Sequence, residues 1–119
     1  MIQLKFFKLS EFTCKCGCGL NNMQDAQLLK LDKARELANI PFSVNCGTRC
    51  PKHNKDEGGE DNSSHLRGLA TDISAKTSQE KFLIISALLK VGFKRIGVYS
   101  TFIHCDSDTT LPQNVIWHK

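Results

Sequence analysis

Apolar residues recur at Ala26, Leu28, Leu29, Leu31, Ala34, Leu37 and Ala38, a helical spacing that predicts a helix from Met23 to Ala38. Asn22 is positioned to cap it, with Asp25 in its first turn, and Pro41 prevents its continuation. The residues before it, 1–22, read as an irregular arm, with a short turn at Leu9-Ser10-Glu11-Phe12 and a Cys/Gly loop from Cys14 to Gly19. Phe42-Ser43-Val44-Asn45 predicts a strand running into the loop Cys46-Gly47-Thr48-Arg49-Cys50-Pro51, and the polar stretch 52–62 around Gly58-Gly59 predicts a surface loop. A second strand is expected over Leu69–Ile73. Thr77 and Glu80 form a capping box that opens a helix running to Val91 and stopped by Gly92. Arg95–Tyr99 and Phe102–Asp106 predict a hairpin around Ser100-Thr101, and the tail through Trp117 is expected to pack back as an edge segment. This order predicts an α+β fold: a small, mainly antiparallel sheet covered by two helices.

The chain has 119 residues, enough for one domain with a modest core, and residues 1–119 are expected to form a single domain. There is no internal repeat and no low-complexity tract. The net charge of +4 comes from scattered lysines and arginines. Without a basic stripe, the pattern argues against a nucleic-acid partner. No apolar run approaches membrane-spanning length, and Ile2–Lys8 is too short and too charged for a signal sequence. The chain is therefore expected to be cytoplasmic as synthesised.

Six cysteines (Cys14, Cys16, Cys18, Cys46, Cys50 and Cys105) stand in a sequence where disulfides are not the default. Cys14-x-Cys16-x-Cys18 lacks the two-to-four-residue gap usual in structural zinc pairs. Free thiols are the expected state, with a second metal site as the alternative.

Candidate chemistry concentrates in Ser63-Ser64-His65-Leu66-Arg67-Gly68-Leu69-Ala70-Thr71-Asp72, read with His104. His65, Asp72 and His104 are the expected metal ligands. Zinc accepts imidazole nitrogen and carboxylate oxygen, and catalytic sites keep three protein ligands and one open position. His104 is expected mid-strand, so it meets the other two if their strands are neighbours. An isolated His-x6-Asp pair would ordinarily be an exposed histidine and a strand-end acid.

Ser63, Gly68 and Ala70, at fixed offsets from the pair, complete the signature Ser-x-His-x-x-Gly-x-Ala-x-Asp. In this the chain resembles the zinc D-Ala-D-Ala carboxypeptidases. That family includes vancomycin-resistance dipeptidases and phage endolysin peptidases, and shares its fold with Hedgehog signalling domains. Leu9-Ser10-Glu11-Phe12, Cys16-Gly17-Cys18-Gly19, Asn45–Pro51, His53-Asn54 and Ile103-His104-Cys105-Asp106 resemble the small single-domain branch. The resemblance implies a Zn2+-dependent peptidase acting on a peptidoglycan peptide, with possible action at the cell wall after release. It implies Arg49 as the residue that binds substrate near the scissile carbonyl, where a fixed guanidinium also steadies developing negative charge.

Ser63 is expected either to contact substrate or to orient the His65 loop, its hydroxyl bonding a local backbone group. Many family members carry glutamate three residues before the last ligand histidine. Thr101 stands there and cannot accept a proton from water. Asp106 shares a strand face with His104 and is the candidate for general base or for orienting a ligand imidazole. His53 is an outside candidate for the cleft, and Tyr99 and Trp117 are candidates to flank it. Cys105 falls on the opposite face and reads as core. The alternative function, suggested by Thr101, is a non-catalytic zinc-binding module.

Overall fold

The computed structural model describes residues 2–119. Its elements run as follows: a 3-10 turn Leu9–Phe12, helix α1 (Asp25–Ala38), strand β1 (Val44–Cys46), helix α2 (Pro51–Asp56), a 3-10 turn Ser64–Arg67, strand β2 (Ala70–Ser74), helix α3 (Ser78–Lys90), and strands β3 (Arg95–Val98), β4 (Phe102–Asp106) and β5 (Val115–His118). The five strands form one open sheet in the order β1-β2-β4-β3-β5. Its pairs are antiparallel except β3 with β5, which is parallel. The fold is α+β, as the pattern of apolar positions predicts. Among the described residues, no helix is long and apolar enough to cross a membrane.

The core lies on one face of the sheet. Leu28, Leu31 and Ala34 of α1 and Ile84, Ala87 and Leu88 of α3 pack with Ile73, Ile96 and Ile103 from alternate strand positions. Phe12 from the N-terminal arm is fully buried, with Phe7 tilted against it at 5.1 Å. Gln27 is a buried polar residue of this face and is fully used. Its amide donates to Thr71 Oγ1 and the Cys105 carbonyl, and its oxygen accepts from Ser107 Oγ. Each partner replaces a water that burial removes.

The opposite sheet face carries the polar residues, and the strand register aligns them. Cys46 pairs with Asp72, Asp72 with His104, His104 with Gly97, and Gly97 with Trp117. One row thus crosses all five strands. Trp117 lies over this row because Gly97 has no side chain: a Cβ there would come within 2.6 Å of the indole. The indole reaches His104 at 5.5 Å between ring centroids and donates to the Tyr99 hydroxyl at 3.0 Å.

Three expectations are corrected. Asn22 does not cap α1, which begins at Asp25 behind Gln24. Its side chain instead bonds Thr48 Oγ1 and the Leu66 carbonyl, tying the arm to the second 3-10 turn. The first strand lies at Val44–Cys46, not Phe42–Asn45, because Phe42 turns into the core beside Phe7. The stretch expected to be loop from residue 52 begins as α2. Pro51 fits its first turn, where no N–H is needed, and Cys50 Sγ accepts from the His53 N–H. The tail packs back at the sheet edge as expected, as strand β5 hydrogen-bonded in parallel to β3.

Gly97→Ala is expected to cost about 1–3 kcal/mol, because the added methyl must displace the indole. Trp117 is the only tryptophan. Urea unfolding should show the loss and the emission spectrum should shift. An unchanged spectrum would mean that the indole does not rest on this row.

Candidate active site

The Ser63–Asp72 segment folds as it does because each of its fixed residues meets a separate local demand. Ser63 caps the 3-10 turn, its Oγ accepting from the His65 N–H at 3.3 Å. Gly68 ends the turn at φ 69°, and a Cβ there would collide with the Asn22 carbonyl. Ala70 is fully buried. Two residues further along the strand, Asp72 emerges on the polar face.

His65, Asp72 and His104 come together. Asp72 Oδ2 lies 3.3 Å from His65 Nε2, and Oδ1 lies 3.0 Å from His104 Nδ1. The two imidazole rings stand edge to face with centroids 5.3 Å apart. The other nitrogen of each ring is held from behind. His65 Nδ1 bonds the Gly47 carbonyl at 2.7 Å, and His104 Nε2 bonds Asp106 Oδ2 at 2.8 Å. Such outer bonds fix which nitrogen faces inward. Among the described residues, His65 Nε2 is a buried nitrogen without a hydrogen-bond partner. It lies 3.3 Å from Asp72 Oδ2 but is not aligned with it for a hydrogen bond.

The donor set fits zinc. With zinc–nitrogen and zinc–oxygen bonds of about 2.0–2.1 Å, the edge of a ligand tetrahedron is about 3.3 Å. The two Asp72 contacts, made through different oxygens, are of that order, and the donors here that lie mutually within 4.8 Å are those of Cys46, His65 and Asp72, with His104 joined through the second Asp72 oxygen.

The same packing sets the charges. Burial works against the His65 imidazolium, but Asp72 and Cys46 outweigh it and raise its pKa to about 10. His104 is also raised, since Asp106 and Asp72 overcome the burial that would lower it. Burial raises Asp72, but the two imidazoles overcome it and hold the carboxyl well below its usual range. A divalent cation bound here would compete with protons for these imidazole nitrogens.

Arg49 flanks this centre. Its Nη2 lies 3.7 Å from Asp72 Oδ2, while Nε donates to Cys46 Sγ and Nη1 to Asn54 Oδ1. Asn54 also donates to the Glu60 carbonyl, pinning the loop after α2 beside the guanidinium. Asp106 is buried and fully engaged. Its Oδ1 accepts from Arg95 Nε and from the Asp108 N–H, and its Oδ2 meets His104. An open cleft of about 570 Å3 lies over the site, with Arg49, Ser63, Glu57, Glu60, Tyr99 and Phe102 among its walls. His53 is not among the residues lining it and lies 3.7 Å from Glu57. Cys105 is buried on the core face, where burial pushes its thiol up.

Two residues escape sequence reasoning. Cys46 offers a sulfur that can share a cation with His65 and Asp72, since one donor atom of each lies within 4.8 Å of the others. It stands on the Nδ1 side of His65, at 3.6 Å. Asp108, fully buried, accepts from Ser64 Oγ, from the Thr110 N–H and hydroxyl, and from the Arg67 guanidinium, and so anchors the turn that presents His65. In sequence it is one polar residue in a polar loop.

The Peptidase M15 family model matches residues 5–106. The chain belongs to the Peptidase M15 family, the family of zinc D-Ala-D-Ala carboxypeptidase-like proteins. No curated protein matches the chain. The match covers every element that brings a residue to the polar row except β5, and it ends at Asp106.

Asp108 yields an acid-stability prediction. Burial raises its pKa, but bonds from Thr110, Ser64 and Arg67 prevail and hold it below the usual value. A depressed carboxyl contributes stability that is present above the unfolded pKa, near 4, and lost as pH falls below it. Asp108→Asn should lower the urea midpoint at neutral pH and flatten its decline between about pH 4 and 2. An equally steep decline in the variant would clear Asp108 of this role.

Proposed function

We propose that this M15 peptidase is zinc-dependent and cleaves a peptide bond in peptidoglycan, as a D-Ala-D-Ala carboxypeptidase or an endolysin does. The observation that carries this reading is the inward-facing, unbonded His65 Nε2 beside an aspartate that also meets His104. His65, Asp72 and His104 would hold the ion. Zinc supplies a Lewis acid for the scissile carbonyl and a route to hydroxide near neutral pH.

The remaining roles belong to the chain's own side chains. Arg49, clamped by Cys46 and Asn54, binds the substrate carbonyl and steadies negative charge as it develops there. Ser63 holds the His65 turn through its hydroxyl and also lines the cleft, where it can meet substrate. Of the two roles open to Asp106, orienting His104 fits its bonding better, because both oxygens already have partners. Glu57 and Glu60 are the further cleft-wall carboxylates open to proton transfer. Action at the cell wall follows from the proposed substrate.

A non-catalytic zinc module is the second reading. It is favoured by Thr101 in the β3–β4 turn and by the engagement of Asp106. Purified peptidoglycan separates the two readings. An enzyme releases peptides in a chelator-sensitive way, and Asp72→Ala loses one zinc equivalent and all cleavage. One equivalent lost in Asp72→Ala, with no cleavage by the wild type across pH values, would leave the module.

Asp106→Asn tests the orienting role. The variant should bind zinc about 10–100-fold more weakly and recover its rate when zinc is saturating. A loss of about 100-fold that persists at saturating zinc would instead mark Asp106 as the base.

A further inference from the structure

The short-spaced cysteines converge with a distant one. Cys14, Cys16, Cys18 and Cys50 each offer a sulfur, and the four sulfurs lie within 4.8 Å of one another. Cys14 to Cys16 measures 3.5 Å and Cys16 to Cys50 measures 3.7 Å. All four are free thiols, with sulfurs well beyond disulfide bonding distance. A tetrahedron with zinc–sulfur bonds of about 2.3 Å has an edge of about 3.8 Å, close to both distances.

We propose that these four cysteines bind a structural zinc ion, separate from the His65–Asp72–His104 centre and independent of whether that centre is catalytic.

Three further observations support the site. Backbone N–H groups point at three of the sulfurs: Cys50 N–H at Cys14, Leu20 N–H at Cys18 and His53 N–H at Cys50. Donors of this kind stabilise thiolate and orient it toward a metal. The one-residue gap between Cys16 and Cys18 is spanned by Gly17 at φ 90°, a backbone that turns the chain between the two sulfurs and that other residues rarely adopt. Cys16 and Cys18 are exposed, so hydrophobic packing does not account for their position.

The four cysteines leave no position for water, which marks a closed structural site rather than a catalytic one. The ion would fasten the N-terminal arm to the residue that follows Arg49. The arm and this loop already meet where the Thr48 N–H donates to the Phe12 carbonyl at 2.9 Å. The zinc would thereby hold the cleft wall that carries Arg49.

Metal content and cobalt spectroscopy test the assignment on the full chain. The wild type should carry two zinc equivalents, and Cys18→Ser and Asp72→Ala one each. Loaded with cobalt, the wild type and Asp72→Ala should show thiolate-to-cobalt charge-transfer absorption. Cys18→Ser, which replaces an exposed side chain, should lose most of that intensity. Because Cys46 could lend a thiolate to a cation at His65 and Asp72, the band retained in Asp72→Ala, which removes that shared ligand, decides the matter even if Cys18→Ser does not fold. Absence of the charge-transfer band from the cobalt-loaded wild type would overturn the proposal. So would a zinc content unaffected by Cys18→Ser, or an intact mass showing a disulfide among these residues.

Discussion

The Asp72–His104 cross-strand pair is the constraint on which the rest of the molecule turns. Directly opposed residues on neighbouring antiparallel strands stand closer than any other non-local pair in a sheet. Here that closeness brings an acid and an imidazole to 3.0 Å without a loop having to hold them. The 3-10 turn supplies the third group from just before β2, and its path is fixed by Gly68 and the buried Ala70. The chain thus places Asp72 and His104 by strand register and His65 by a capped turn. Of the two devices, register is the more rigid.

Around that pair lies a layer of bonds directed away from the cleft. The Gly47 carbonyl, Asp106 with Arg95, and Asp108 with Arg67 and Ser64 each restrain His65, His104 or the turn that presents His65. Removing one partner from such a buried cluster leaves a charge or donor unpaired, which costs more than the bond itself. The polar face is therefore as strongly specified as the apolar one, although nothing greasy holds it together. Trp117 completes this layer. Its indole covers the edge of the row beside His104, and the Arg95 guanidinium lies over the same indole at 5.0 Å.

Much of this was legible in the sequence because the Ser63–Asp72 segment carries its own geometry. A cap, a left-handed glycine, a buried alanine and an aspartate occur at fixed steps, and each leaves a residue-level mark. The α1 periodicity was equally readable, since a helix of 14 residues repeats its apolar face several times, and α3 was readable from the Thr77–Glu80 box at its start and Gly92 beyond its end. The six-residue α2 repeats too little for periodicity to register. Asp108 acts through partners distant in sequence, and a polar residue in a polar loop carries no trace of them. The convergence of Cys50 on Cys16 spans 34 residues and depends on a tertiary contact between the arm and the loop before α2. Spacing rules written for sequential pairs cannot detect it.

Strand β4 serves both faces at once. Phe102, His104 and Asp106 alternate with the core residues Ile103 and Cys105. Losing or gaining a single residue within it would send His104 into the apolar interior and expose a core side chain to the cleft, because the strand period is two. An insertion in the segments bordering the cleft escapes this constraint, whereas one in the strand beneath it does not. Any diversification of what the cleft admits must be written into its rim, over an unchanging floor.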